Sequence, residues 1–157
     1  MELANAAYGQ AETLVTPLQM ALVAATIANG GTLMAPELVA ALRRADGSVE
    51  QRPPTVWRAV LDPAIAAEIR DAMVAAVESP LGQPFAGAAA VPGVVTAGKS
   101  GTAQLGSDAP YSWFIGFAPA ASPRIAVAVL VEHGGAAAQE AVPMAGQFLT
   151  YALSLHP

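Results

Sequence analysis

Ala97-Gly98-Lys99-Ser100-Gly101-Thr102-Ala103-Gln104 is the stretch on which the reading of this chain turns. It holds the chain's only lysine, set among small residues and two hydroxyls. An ammonium with hydroxyl neighbours on an open backbone suits a carboxylate, which accepts charge-assisted hydrogen bonds. In an extended segment Lys99 and Gly101 share one face, and Ser100 and Thr102 share the other. Groups split between two faces can serve one ligand only at a sheet margin beside a cleft. Gly98 and Gly101 lack Cβ atoms and are expected to let a ligand's backbone come close. A peptide can then add to the strand through main-chain hydrogen bonds.

The same region tempts a different assignment. Gly93-Val94-Val95-Thr96-Ala97-Gly98-Lys99-Ser100 fits the phosphate-loop pattern G-x-x-x-x-G-K-[ST] letter for letter. That loop needs a strand before its first glycine and a helix opening at the lysine, whose free N–H groups meet phosphate. Here Ala90-Val91-Pro92 is a poor central strand, Val94-Val95-Thr96 is β-branched, and no helical period follows Ser100. Nucleotide binding is therefore the weakest of the functional alternatives.

Outward from this stretch, the chain alternates strong start and stop signals. Thr16-Pro17-Leu18-Gln19 combines a cap, a first-turn proline and a capping box. The helix it opens runs through Ile27 and ends at Asn29-Gly30-Gly31. It is apolar nearly all round, so cover is expected on both sides. Leu38 to Gln51 reads as a peripheral hairpin turning at Asp46-Gly47, and Arg52-Pro53-Pro54 breaks the chain. Asp62-Pro63 opens a second helix with Ile65, Ile69, Ala72, Met73, Ala76 and Val77 on one face, ended by Ser79-Pro80. Leu81 to Pro92 is expected to be a loop.

Three strands follow: Val94 to Gln104, Tyr111 to Ala118, and Arg124 to Val131. Short joining loops favour antiparallel hairpins. In the second strand Trp113, Ile115 and Phe117 oppose Phe114, Gly116 and Ala118, so both faces of the sheet should be covered. Glu132-His133 reads as a strand-end pair before the Gly134-Gly135 turn. A helix over Gln139 to Leu155 closes the chain, with Val142, Ala145, Phe148, Leu149, Ala152 and Leu153 inward and Pro143 tolerated in the first turn. The fold class is α+β, an antiparallel sheet of at least three strands covered by helices. One unit spans 1–157, with a helical part and small hairpin over 1–92 and a three-stranded meander plus helix over 93–157.

Composition narrows the functions. The 157 residues are 54% apolar, ample for one packed core, with a net charge of -5. No basic stripe exists to neutralise nucleic-acid phosphates. The absence of cysteine removes disulfides and thiolate metal sites. His133 and His156 lack metal-ligand spacing. The opening Met1-Glu2-Leu3-Ala4-Asn5 does not read as a signal peptide. The uncharged stretch Thr13 to Pro36 carries an apolar helix far short of the roughly 20 residues of a membrane span.

The motif and its surroundings together resemble a known family. Lys99-Ser100-Gly101 is similar to the Lys-Thr-Gly motif of penicillin-binding proteins and class A β-lactamases. Tyr8-Gly9-Gln10, Val15-Thr16-Pro17-Leu18-Gln19-Met20-Ala21 and Ile27-Ala28-Asn29-Gly30-Gly31 resemble the helical segment upstream in that family. Trp113-Phe114-Ile115-Gly116-Phe117-Ala118-Pro119 resembles the strand after the motif. The chain thus looks like the C-terminal half of a class B penicillin-binding protein transpeptidase domain, with the similarity running in order over nearly its whole length.

The resemblance implies a set of roles. Lys99 supplies positive charge to the terminal carboxylate of a D-alanyl-D-alanine stem peptide or of a β-lactam, and the Ser100 and Thr102 hydroxyls bind that carboxylate. The Thr102 backbone N–H is half of an oxyanion hole. Gly101 lies on the binding strand and Gln104 at its rim. The family's other two motifs are not found. Position 96 is Thr96, so no Ser-x-x-Lys ends at Lys99, and no serine has asparagine two residues on. The nucleophile and general base are expected from a missing N-terminal half, and this chain alone is expected not to acylate. Implied partners are peptidoglycan stem peptides, β-lactams and that missing half, with no nucleic acid. Membrane attachment is expected only through an anchor outside the chain, at the extracytoplasmic face, and no metal or organic cofactor is implied. The alternative of a non-catalytic peptide-binding module stays open.

Overall fold

The computed structural model describes residues 4, 6–7, 9–10 and 13–155. Tyr8, His156 and most of the opening pentapeptide lie outside the described residues. Thr16 opens α1 (Pro17–Ala28) as a full capping box. The Gln19 N–H donates to Thr16 Oγ1 at 3.2 Å, and Gln19 Oε1 accepts from the Thr16 N–H at 2.8 Å. Gly30 and Gly31, with φ of 60° and 90°, turn the chain away at its end. The expectation of cover all round α1 does not hold within this chain. Ala24, Thr26 and Ile27 are buried, while Leu18 and Val23 remain 58% and 44% exposed. The three-stranded sheet, the strand that follows α1 and the helix Pro63–Glu78 pack against it.

β1 (Thr32–Met34) leaves this turn, and after it come β2 (Ala41–Arg43), β3 (Val49–Gln51) and β4 (Val56–Ala59). β2 and β3 form the expected hairpin, in register from Ala41↔Gln51 to Arg43↔Val49. Gly47, with φ of 86°, makes its turn, and Asp46 Oδ1 accepts from the Ser48 N–H and hydroxyl. The pairing of β1 with β4 is an addition to the sequence reading, which had only a chain break at Arg52-Pro53-Pro54. It is antiparallel, with an irregularity between Leu33 and Met34.

α2 (Pro63–Glu78) starts where expected, with Asp62 Oδ1 accepting from the Ala64 N–H at 2.8 Å. Its buried face is the expected one along Met73 and Val77, with Ile69 and Ala76 half-buried, and departs from it at three positions. Ala66 is buried, whereas Ile65 is 50% exposed and Ala72 is exposed. An alanine-rich helix has apolar residues beyond the expected stripe, and packing against the sheet decides where its edges fall. The expected loop at 81–92 also needs correction. It contains α3 (Gln83–Ala86) and a single 3₁₀ turn over Gly87–Ala89. The signal was Pro84 in the first turn, where a missing N–H costs nothing.

β5 (Ala97–Leu105), β6 (Asp108–Ala118) and β7 (Ile125–Val131) form an antiparallel sheet in the order β5-β6-β7. β5 begins later than expected because Thr96 is committed elsewhere. Its N–H donates to Glu78 Oε1 at 2.9 Å, and its buried hydroxyl accepts from the Val91 N–H. β6 and β7 alternate as expected. Phe114, Ala118 and Val127 form one core with α4 (Ala141–Ser154), through Val142, Ala145 and Leu149. Phe117 and Ala97 form the second, with Ala24 and Ile27 of α1 and Met73 of α2. The sheet is therefore covered on both faces, an α+β arrangement. Beyond β7, the His133 ring meets Tyr111 edge-on at 5.1 Å.

α4 borrows its cap from the sheet. Glu140 offers no side-chain cap, and the Ala141 N–H instead donates to the buried Ser112 hydroxyl at 3.1 Å. Pro143 lies in the first turn, as its missing N–H requires. Phe148 departs from expectation: it is 49% exposed, because Val142, Ala145 and Leu149 hold the centre of the inward face and leave it on the flank. No helix among the described residues is long and apolar enough to cross a membrane.

Candidate active site

The expected site residues share one strand at the sheet's free edge. Lys99 faces Ile115 and Gly101 faces Trp113 in the register of β5 with β6, on the side packed by α1. Ser100 faces Phe114 and Thr102 faces Ser112, on the side packed by α4. The predicted split across two faces is therefore present, and it falls at a margin, since among the described residues β5 has a strand neighbour on one side only. Lys99, Thr102 and Gln104 are exposed, and Ser100 and Gly101 are half-buried. The phosphate-loop geometry is excluded, because Lys99 lies within a nine-residue strand and not at the head of a helix.

Backbone direction along β5 follows from one side chain, that of Gln10, which entered the sequence analysis only through the resemblance of Tyr8-Gly9-Gln10. The Gln10 amide donates to the Thr102 carbonyl at 3.2 Å, and its oxygen accepts from the Gln104 N–H at 3.0 Å. The N–H and C=O of one strand residue point to the same side, and alternate residues repeat the direction. Residues 100, 102 and 104 thus aim their main-chain groups at the free edge. The Ser100 N–H and C=O and the Thr102 N–H all face the space beside β5. The Lys99 ammonium folds over this edge and donates to the Ser100 carbonyl.

Two further contacts qualify the expected roles. Thr102 Oγ1 accepts from the Ala137 N–H at 3.2 Å, which ties the 132–140 segment to β5. The hydroxyl proton stays available for a carboxylate, because the bond uses only a lone pair. Gly98 serves packing and not the close ligand approach expected of it. A Cβ there would come 2.7 Å from Phe114 Cε2, inside a fully buried ring. At Gly101 a Cβ would meet only Trp113 Cβ, at an ordinary 3.5 Å. Of the two glycines, Gly101 is the one whose small size packing does not explain.

A mid-strand lysine followed by two hydroxyl residues, on an edge strand of a sheet covered by helices on both faces, is an arrangement that can take a carboxylate-bearing ligand. The chain belongs to the family described as penicillin binding protein transpeptidase domain, whose sequence profile matches residues 1–150. It is similar to the peptidoglycan D,D-transpeptidase PbpA of Mycolicibacterium smegmatis, 45% identical over 132 residues that make up 81% of this chain and 26% of that protein. The PbpA of Mycobacterium tuberculosis is 43% identical over 131 residues, 80% of this chain and 26% of that one. Among solved structures, the imipenem acyl-enzyme complex of penicillin-binding protein A from M. tuberculosis superposes with a TM-score of 0.81 at 36% identity. That match covers 98% of this chain and 34% of the other. The chain thus spans about a quarter of the length of the PbpA relatives it matches.

Proposed function

We propose that this chain forms the lysine-bearing wall of a peptidoglycan D,D-transpeptidase that reacts with D-alanyl-D-alanine stem peptides and β-lactams through a serine acyl-enzyme. The observation that carries the proposal is the free edge of β5, where the exposed Lys99 and the outward Thr102 N–H flank Ser100. In this reading Lys99 gives positive charge to the ligand's carboxylate, and the Ser100 and Thr102 hydroxyls donate to it. The Thr102 N–H points where a tetrahedral oxyanion would form. Gly101 lets the ligand backbone approach, and Gln104 stands at the rim. The serine nucleophile and its base come from a part of the protein outside these 157 residues, and any membrane anchor does too. The site of action is the extracytoplasmic face, where peptidoglycan lies. No cofactor is needed, since acyl transfer by serine requires only proton movement and electrostatic stabilisation.

Fluorescent penicillin tests this. The longer protein should be labelled covalently, and the 157-residue chain alone should not. Replacing Lys99 by Met should slow labelling of the longer protein roughly tenfold to a hundredfold, the loss expected for a charge-assisted contact. Labelling of Lys99→Met at the parent rate would refute the role of Lys99. Binding of stem peptide without any acylation would favour the non-catalytic module.

A further inference from the structure

We infer that Ser112 is a positioning residue, through which the start of α4 sets the Thr102 hydroxyl for a ligand's carboxylate. The inference rests on the transpeptidase reading above and deepens it. Ser112 is fully buried, so it touches no ligand itself. It stands directly across from Thr102 in the register of β5 with β6, on the face packed by α4. Each of the two hydroxyls accepts an N–H from the segment that opens that helix. Thr102 Oγ1 accepts from Ala137 at 3.2 Å, and Ser112 Oγ accepts from Ala141 at 3.1 Å. The segment is also closed on itself, since the Ala137 carbonyl accepts from the Val142 N–H at 3.0 Å. Ala137 is only 3% exposed, so it moves with the helix start as one body. Val142, Ala145 and Leu149 hold that body to the sheet by apolar contact, which is non-directional. The Ser112 bond is directional and fixes where along the sheet the helix start sits. The Thr102 hydroxyl gains orientation from this. With one lone pair taken by the Ala137 N–H, its proton has fewer directions left, and a carboxylate finds it already aimed.

The test uses the longer protein with a fluorescent penicillin and reads the second-order acylation rate constant of the reactive fraction. Thr102→Val keeps the shape and removes the hydroxyl. It should slow acylation about tenfold, as for a lost bond to a charged group. Ser112→Ala should slow the parent roughly fivefold, the size of one ordinary hydrogen bond. In the Thr102→Val background it should slow acylation less than about twofold further, because its route to the ligand is already cut. A purely structural role would lower the labelled fraction and leave the rate constant unchanged, or slow both backgrounds equally. Either result, or parent-like acylation by Ser112→Ala, would overturn the proposal. Ser112→Cys keeps a weak acceptor of similar size, and it carries the same two-background comparison where Ser112→Ala does not fold. If the parent itself does not react, the transpeptidase reading falls, and amide exchange decides the link between Ser112 and Ala137. Exchange at Ala137 about tenfold faster in Ser112→Ala, beyond any change at Phe114 of the same core, supports it. A change common to both amides, or none at either, overturns it.

Discussion

Replacing Gly98 by alanine should destabilise the protein, although the same change on an open strand would stabilise it. Two effects of opposite sign compete. Alanine restricts the unfolded chain and on its own favours the native state by about 0.4–1 kcal/mol where the backbone is compatible. Against this, the new methyl would lie 2.7 Å from Phe114 Cε2 and 3.2 Å from the Ile115 carbonyl oxygen. Phe114 is fully buried and backed by Val142 and Ala145 of α4. The ring cannot swing toward Gly116 either, since it already lies against that residue. Overpacking of this kind costs about 1–3 kcal/mol, so it outweighs the chain term by about 1–2 kcal/mol. Urea denaturation of Gly98→Ala should show a lower midpoint at unchanged slope. Phe114→Leu, which shortens the intruding group, should rescue it in part. The double variant should be more stable than the two single losses predict, by about 1 kcal/mol or more. A Gly98→Ala variant as stable as the parent, or strictly additive losses, would refute this account of why position 98 lacks a side chain.

Ser112→Ala removes the acceptor for the Ala141 N–H at a buried helix start. It should cost about 1–2 kcal/mol in denaturant unfolding, against no measurable loss if water replaces the hydroxyl. At the hairpin turn, hydrogen bonds from the Ser48 side chain and backbone hold the Asp46 carboxyl below its usual range. A carboxyl depressed in the folded state supports the turn above its unfolded value and loses that support as pH falls through the folded one. The Ser48 amide resonance should therefore titrate with a midpoint below about 3.9, and a midpoint at or above that value would contradict the assignment.

The parts of this fold that sequence reasoning reached are those fixed by neighbours within a few residues. Thr16, Pro17 and Gln19 close a capping box among themselves, and Asp62 with Pro63 does the equivalent for α2. The alternation along β6 and β7 gave both covered faces of the sheet, because a two-residue period has no competing phase. The misses arise where a partner far along the chain chooses between local options. On α2, Met73 and Val77 are buried as expected, while contact with the sheet brings in Ala66 and leaves Ile65 and Ala72 outside. The β1–β4 ribbon joins short segments across an intervening hairpin, too brief to show a period.

The candidate site divides in the same way. Lys99, Ser100 and Thr102 were legible because charge and hydroxyls concentrate in one short strand, and period-two geometry sets their faces. What those residues lean on was not legible. Gly98 invited a ligand explanation, yet its neighbour is the ring of Phe114, folded in from the adjacent strand. Gln10 entered the sequence analysis only through the resemblance of Tyr8-Gly9-Gln10, and its two bonds to β5 are seen only in the fold. A strand edge is defined by what fails to pair with it, so its length depends on whichever distant group stops the pairing. That dependence makes the free extent of the β5 edge a property of tertiary structure, which no local pattern around the lysine motif encodes.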